Sequence, residues 1–173
     1  YVGAIHPRKN VKRLVKAFSK LQEAGYPDHL LIIVGQQRWM SKEILESDAY
    51  LSASDRIIFA GRVTDTELAA LYSGCDAFVY PSIYEGFGLP VLEAMAYGAP
   101  VLTSNISSLP EVAGDAALLV DPYETDDILE GICKLIDSPD LAQSYQQKGL
   151  SRSKKFSWEK TARCALDVLE SVS

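Results

Sequence analysis

Short apolar runs alternate with longer stretches of helical periodicity along most of this chain, and few folds accept that order. Residues 1–5, Tyr-Val-Gly-Ala-Ile, read as a buried strand. After a polar turn at 6–10, Val11, Leu14, Val15, Phe18 and Leu21 recur at three- and four-residue intervals, the mark of an amphipathic helix. Residues 30–34 form a continuous apolar run bounded by Pro27 and Gly35, long enough for a strand buried on both faces and too short for a helix. Residues 41–52 suit a helix and 57–60 a strand. Thr64 and Glu67 have the spacing of a capping box, opening a helix that Gly74 ends. Further strands are expected at 77–80, 101–103 and 117–120, with a helix at 89–97 closed by Gly98. The remainder is helical. Ile128, Ile132, Leu135 and Ile136 share one face, and after the N-cap Ser157 so do Trp158, Ala162, Ala165, Leu166 and Leu169, in a terminal helix over 157–173.

Strands that alternate with helices imply right-handed βαβ units. The expected fold is therefore α/β, a doubly wound parallel sheet of Rossmann-like type. The 173 residues suit one domain, 1–173. Ligands of such sheets bind outside the carboxyl ends of the strands, which gathers the loops after Ile5, Val34, Ala60, Tyr80 and Thr103 around one crevice.

Composition narrows what that crevice holds. Seventeen basic against twenty-three acidic residues leave a formal net charge of −6, which argues against a general nucleic-acid binder. An anionic ligand would need a local cationic pocket. Cys75, Cys133 and Cys164 are odd in number and widely spaced, so neither a disulfide framework nor a zinc site is signalled, and a reducing cytoplasm is expected. No apolar run approaches the roughly 18 residues of a membrane span, and no signal segment opens the chain. His6 and His29 stand apart as turn and strand-entry residues, and with no clustered ligands neither metal nor cofactor is expected. The chain opens inside a strand without methionine, so an upstream segment is expected as well.

The loop after the 77–80 strand reads Pro81-Ser82-Ile83-Tyr84-Glu85-Gly86-Phe87-Gly88-Leu89-Pro90, with Pro90 suited to a first helical turn. Unpaired N–H groups at a helix N-terminus carry partial positive charge, and a glycine-rich approach lets a phosphate reach them. By themselves the two glycines also serve an ordinary turn. Glu85 and Glu93 stand eight positions apart. As acceptors, carboxylates suit vicinal sugar hydroxyls better than phosphate; alternatively, Glu93 complements the helix dipole and Glu85 is a solvated loop charge. Arg8 and Lys9 enter the first helix, where the dipole disfavours cations, so they point to an anion nearby, Lys9 foremost. Gly61, Arg62 and Val63 follow the third strand, where backbone groups could meet a base edge or simply turn.

Together these segments resemble the C-terminal domain of glycosyltransferase family 4, retaining enzymes of the two-domain GT-B fold. The resemblance covers nearly the whole chain. Its hallmark is E-x7-E, here Glu85 to Glu93 within Tyr84-Glu85-Gly86-Phe87-Gly88-Leu89-Pro90-Val91-Leu92-Glu93-Ala94-Met95. Supporting matches are Pro7-Arg8-Lys9-Asn10, Gly61 to Val63 with Leu68 and Tyr72, Gly98-Ala99-Pro100-Val101, Leu109-Pro110-Glu111-Val112 and Phe156-Ser157-Trp158. The resemblance implies that Glu85 contacts the transferred sugar and shares catalysis with Lys9, which binds phosphate. Gly86, Phe87, Gly88 and Leu89 would meet sugar and diphosphate, and Glu93 the ribose. The base would lie against Arg62 and Val63, with Leu68 beneath. The family usually carries an arginine where this chain has Ala4, and Arg8 is the candidate substitute.

The resemblance implies hexosyl transfer from a UDP- or GDP-linked donor, UDP being the default, to an acceptor hydroxyl in glycan or polysaccharide synthesis, with no metal. Acceptor binding, a catalytic histidine and any peripheral contact with the cytoplasmic membrane face would belong to an N-terminal domain not in this chain. This chain alone is expected to bind donor without transferring it. Competing readings are a GT-B epimerase or phosphorylase domain and a non-enzymatic nucleotide-binding module.

Overall fold

The computed structural model describes residues 1–36 and 41–171. Among them the helices are α1 (Val11–Ser19), α2 (Ser41–Leu45), α3 (Asp48–Leu51), α4 (Asp65–Gly74), α5 (Leu89–Ala96), α6 (Leu109–Ala113), α7 (Thr125–Asp137), α8 (Pro139–Ser153) and α9 (Trp158–Ser171). The strands are β1 (Leu31–Val34), β2 (Ile57–Gly61), β3 (Phe78–Tyr80), β4 (Val101–Ser104) and β5 (Leu118–Val120). All pairings are parallel: β1 lies beside β2, and β4 lies between β3 and β5. The α/β class and the parallel pairing are as expected, and the strands form one two-stranded and one three-stranded sheet. A parallel sheet covered by helices needs strands apolar on both faces, and every residue of β3 and β4 is buried.

The segment expected as a first strand makes only a single parallel bridge, Val2 to Val34. Its backbone follows β1 through bonds from the Tyr1 amine to Ile32 O, from Val34 N to Tyr1 O and from Gly3 N to Val34 O. The Tyr1 ring stacks on Tyr80 of β3 at 5.6 Å. Leu30, expected inside the next strand, is 55% exposed and precedes it. The helix expected over 41–52 is two helices, because Ser47 takes an extended backbone and its hydroxyl caps α3 by accepting from Tyr50 N. The capping box holds: Glu67 N donates to the Thr64 hydroxyl, and the Glu67 carboxylate accepts from Thr64 N.

Helix α7 buries Ile128, Ile132 and Leu135, and α1, which packs on it, buries Leu14, Val15 and Phe18. Ser157 caps α9 as expected, accepting from Lys160 N. Yet every described residue of α9 is exposed, Trp158 at 77%, so its apolar face is uncovered. Residues 172–173 of the predicted terminal helix and residues 37–40 of the predicted crevice loop lie outside the described residues.

One glycine decides how the strand ends meet at the crevice. Gly35 has φ of 135°, and a Cβ there would fall 2.2 Å from Gly3 O. Its N–H donates to Gly61 O at 2.7 Å, joining the ends of β1 and β2. Backbone cannot yield as a flexible side chain can. Gly35→Ala should therefore destabilise the fold by at least the roughly 1–3 kcal/mol typical of overpacking, read as a lower urea midpoint; an unchanged midpoint would refute the close approach.

Candidate active site

The site grows from a short turn. Pro7–Lys9 form one turn of 3-10 helix, begun where the Arg8 N–H donates to His6 Nδ1 and ended by Asn10 in the left-handed region at φ 59°. Asparagine is among the few residues that accept that conformation. The turn is tied across the crevice by Ile83 N–H donating to Arg8 O at 2.7 Å. The buried Asn10 amide donates to Pro81 O at 2.9 Å and to Pro122 O at 2.7 Å, while its oxygen accepts from Arg13 at 2.8 Å. One side chain thus joins the turn to the loops after β3 and β5.

This anchoring aims Lys9 inward. Its Nζ donates to Glu85 Oε1 at 2.6 Å and to the Tyr80 hydroxyl at 2.5 Å, and that hydroxyl donates to the same Glu85 oxygen at 2.9 Å. Arg8 stands 3.6 Å from Glu85 Oε2 and donates to Tyr84 O. The Lys9 and Glu85 side chains are 12% and 7% exposed, Arg8 45%. Glu85 is therefore no solvated loop charge. Buried charges require partners, and here one carboxylate faces two cations, leaving local positive charge in an acidic chain.

The backbone around Glu85 is stapled from the loop after β4. The Ser107 hydroxyl accepts from Glu85 N at 3.1 Å and donates to Glu85 O at 2.9 Å; the Ser108 hydroxyl bridges Glu85 O and Phe87 O. Ser107 holds φ of 62°, an unfavourable value for serine that these bonds maintain. Deeper, Ser104 donates to Ser82 O and Thr103 to Tyr80 O. Gly88, buried with φ of 110°, opens α5 without a side-chain cap; a Cβ there would meet Leu109 at 2.7 Å. Pro90 sits in that first turn, as expected.

Glu93 has a different setting. It is exposed, and its Oε2 accepts from the buried Tyr72 hydroxyl at 3.2 Å. Burial first, then the neighbouring glutamate, pushes both the Tyr72 and the Tyr80 phenol well above the ordinary tyrosine range, so both hydroxyls remain donors. Of the other predicted residues, Gly86 is exposed, Phe87 is 42% exposed and edge-on to Phe156, and Leu89 is 45% exposed. Leu68 is half-buried against the core. Arg62 is exposed, Val63 half-buried, and no bond among the described residues joins either to the Lys9–Glu85 cluster. Ala4 is exposed and accepts from the Tyr1 hydroxyl through its carbonyl. Tyr80 escapes sequence reading because strand periodicity marks its burial and not its partner, and the partly or fully exposed Ser107 and Ser108 because their partners lie 21 to 23 residues away.

Residues 1–152 match the family described as Glycosyl transferases group 1. The chain is 39% identical over 159 residues to O-antigen chain mannosyltransferase B of Escherichia coli, covering 92% of this chain and 42% of that protein. It is 32% identical over 168 residues to an MMP alpha-(1->4)-mannosyltransferase of Mycolicibacterium hassiacum, covering 95% and 40%. Among solved structures it is similar to a sucrose-phosphate synthase of Thermosynechococcus elongatus, with a TM-score of 0.82 and 27% identity over 99% of this chain and 45% of that one. The chain thus spans under half the length of these two mannosyltransferases. No described helix is long and apolar enough to cross a membrane.

Asn10→Ala would leave two buried carbonyls unpartnered and place alanine in the left-handed region. A loss of about 2–4 kcal/mol is expected in denaturant unfolding, since each orphaned group costs about 1–3 kcal/mol. A loss below about 1 kcal/mol would mean that the turn is held by other contacts.

Proposed function

The chain belongs to the group 1 glycosyl transferases, and on that premise we propose that it is the donor-binding domain of a retaining hexosyltransferase. The observation that carries the reading is the ion pair of Lys9 with the buried Glu85, with Arg8 beside it, in the loop that leads to the glycine-led start of α5. A nucleotide-diphosphate sugar brings what that arrangement needs. Its diphosphate supplies negative charge for Lys9, Arg8 and the unpaired N–H groups of the helix. Its sugar hydroxyls supply donors for Glu85 once Lys9 turns to phosphate. Glu93, open on one oxygen, accepts from the ribose, and the base lies against Val63 and the Arg62 backbone. Arg8 takes the place of the arginine that Ala4 lacks.

Cations and amide dipoles then stabilise charge on the departing nucleotide diphosphate while an acceptor hydroxyl attacks the same face of the anomeric carbon. Those protein charges are sufficient without metal, so donor binding should be indifferent to magnesium or chelator. The mannosyltransferase names of the relatives favour mannose as the sugar, in synthesis of a glycan, and the nucleotide that carries it, GDP or UDP, is read by the titration below. The acceptor would be held outside this chain, which alone binds donor without transfer and acts in the cytoplasm.

Calorimetric titration with GDP, GDP-mannose, UDP and UDP-glucose tests the reading, and binding of none of them overturns it. Lys9→Ala should weaken the preferred nucleotide diphosphate about ten- to a hundredfold, on the order of 1.5–3 kcal/mol. It should also lower fold stability, because it leaves Glu85 buried without its nearest cation. Glu85→Gln should weaken the nucleotide sugar more than the bare diphosphate, whereas Glu93→Gln should weaken both alike. Equal losses from Glu85→Gln would sink the division of roles.

A further inference from the structure

Each of the two carboxylates is bonded to a buried tyrosine hydroxyl, Glu85 to Tyr80 and Glu93 to Tyr72. The tyrosines are 0% and 2% exposed and belong to one continuous aromatic row. Tyr80 stacks on Phe78 at 5.8 Å, Phe78 meets Tyr72 edge-on at 5.3 Å, and Tyr72 stacks on Tyr97 at 5.9 Å. Phe78 and Tyr80 are two apart on β3 and so share a face of the strand. Phenylalanine would fill these core positions without the cost of burying a hydroxyl, and a buried hydroxyl is tolerated only where it is bonded. Here both hydroxyls are spent on the carboxylates.

We propose that Tyr80 and Tyr72 are positioning residues acting on different parts of the donor, Tyr80 through Glu85 on the sugar and Tyr72 through Glu93 on the nucleoside. The inference rests on the donor-site reading above. In the ligand-free site the Tyr80 hydroxyl accepts from Lys9 and donates to Glu85. When a diphosphate draws Lys9 away, the bond from Tyr80 continues to aim the carboxylate, while Ser107 holds its backbone. Tyr72 binds one oxygen of Glu93 and leaves the other to accept from a ribose hydroxyl. The stacked rings restrict both phenols, so the carboxylates are held before the donor arrives, and less freedom is lost on binding.

Tyr80→Phe and Tyr72→Phe remove one oxygen each and keep the stack. They should be titrated with the nucleotide sugar that binds and with its bare nucleotide diphosphate, beside Glu85→Gln and Glu93→Gln. Tyr80→Phe should weaken the nucleotide sugar about three- to tenfold, the scale of one hydrogen bond, and the bare diphosphate less than about twofold. Tyr72→Phe should weaken both ligands by the same about three- to tenfold factor. In the Glu85→Gln background, Tyr80→Phe should add less than about twofold, because the hydroxyl acts through that carboxylate. Equal losses of both ligands from Tyr80→Phe, or full additivity with Glu85→Gln, would reduce Tyr80 to a core residue and overturn the inference. If Glu85→Gln is selective while Tyr80→Phe is not, the inference fails alone. If Glu85→Gln is itself unselective, the donor-site reading fails and takes the inference with it.

Discussion

The site hangs on a single buried amide. Asn10 ends the turn that follows the first segment, takes the left-handed conformation, and donates to carbonyls that lie 71 and 112 residues further along the chain. No helix or strand pairing joins those three places directly. Once they are joined, Arg8 and Lys9 have one direction available, toward the loop after β3, and the bond from Ile83 N–H to Arg8 O holds that facing. The electrostatics of the crevice are thus a consequence of backbone geometry at one residue.

What the geometry produces is a prepared imbalance of charge. Glu85 is buried against Lys9 and within reach of Arg8, so a chain of net charge −6 presents a cationic excess at one point. A buried pair of this kind adds little to stability compared with a well-packed apolar contact, but removing either partner alone is costly. On the proposed donor-site reading such a pair is stored binding capacity: a diphosphate would replace the carboxylate as partner of Lys9, and the freed carboxylate would accept from sugar hydroxyls.

Much of this was legible beforehand where the signal is local. The capping box of α4, the Gly88–Pro90 entry to α5, the Ser157 cap and the buried face of α7 all follow from residues within a few positions of one another. The spacing from Glu85 to Glu93 is local as well, and it places the first in the loop before α5 and the second within that helix. Reading failed where a partner decides. Residues 1–5 have strand composition yet make a single bridge, because a strand is defined by its neighbours. The 41–52 helix divides because Ser47 finds a local hydrogen bond that competes with helical continuation. Helix α9 shows the reverse, an apolar face with correct periodicity that nothing among the described residues covers.

The order of residues alone settled the parallel α/β class and the helix boundaries with local caps, and it placed Glu85 in the loop before α5 and Glu93 within that helix, because apolar periodicity, capping and motif spacing are short-range properties. Tertiary structure alone decided that Lys9 meets Glu85 rather than solvent, that Tyr80 and Tyr72 each serve one carboxylate, and that Ser107 and Ser108 brace the loop. Those contacts span 5 to 76 residues, and what they require is the direction of a side chain after packing, a quantity that spacing does not encode.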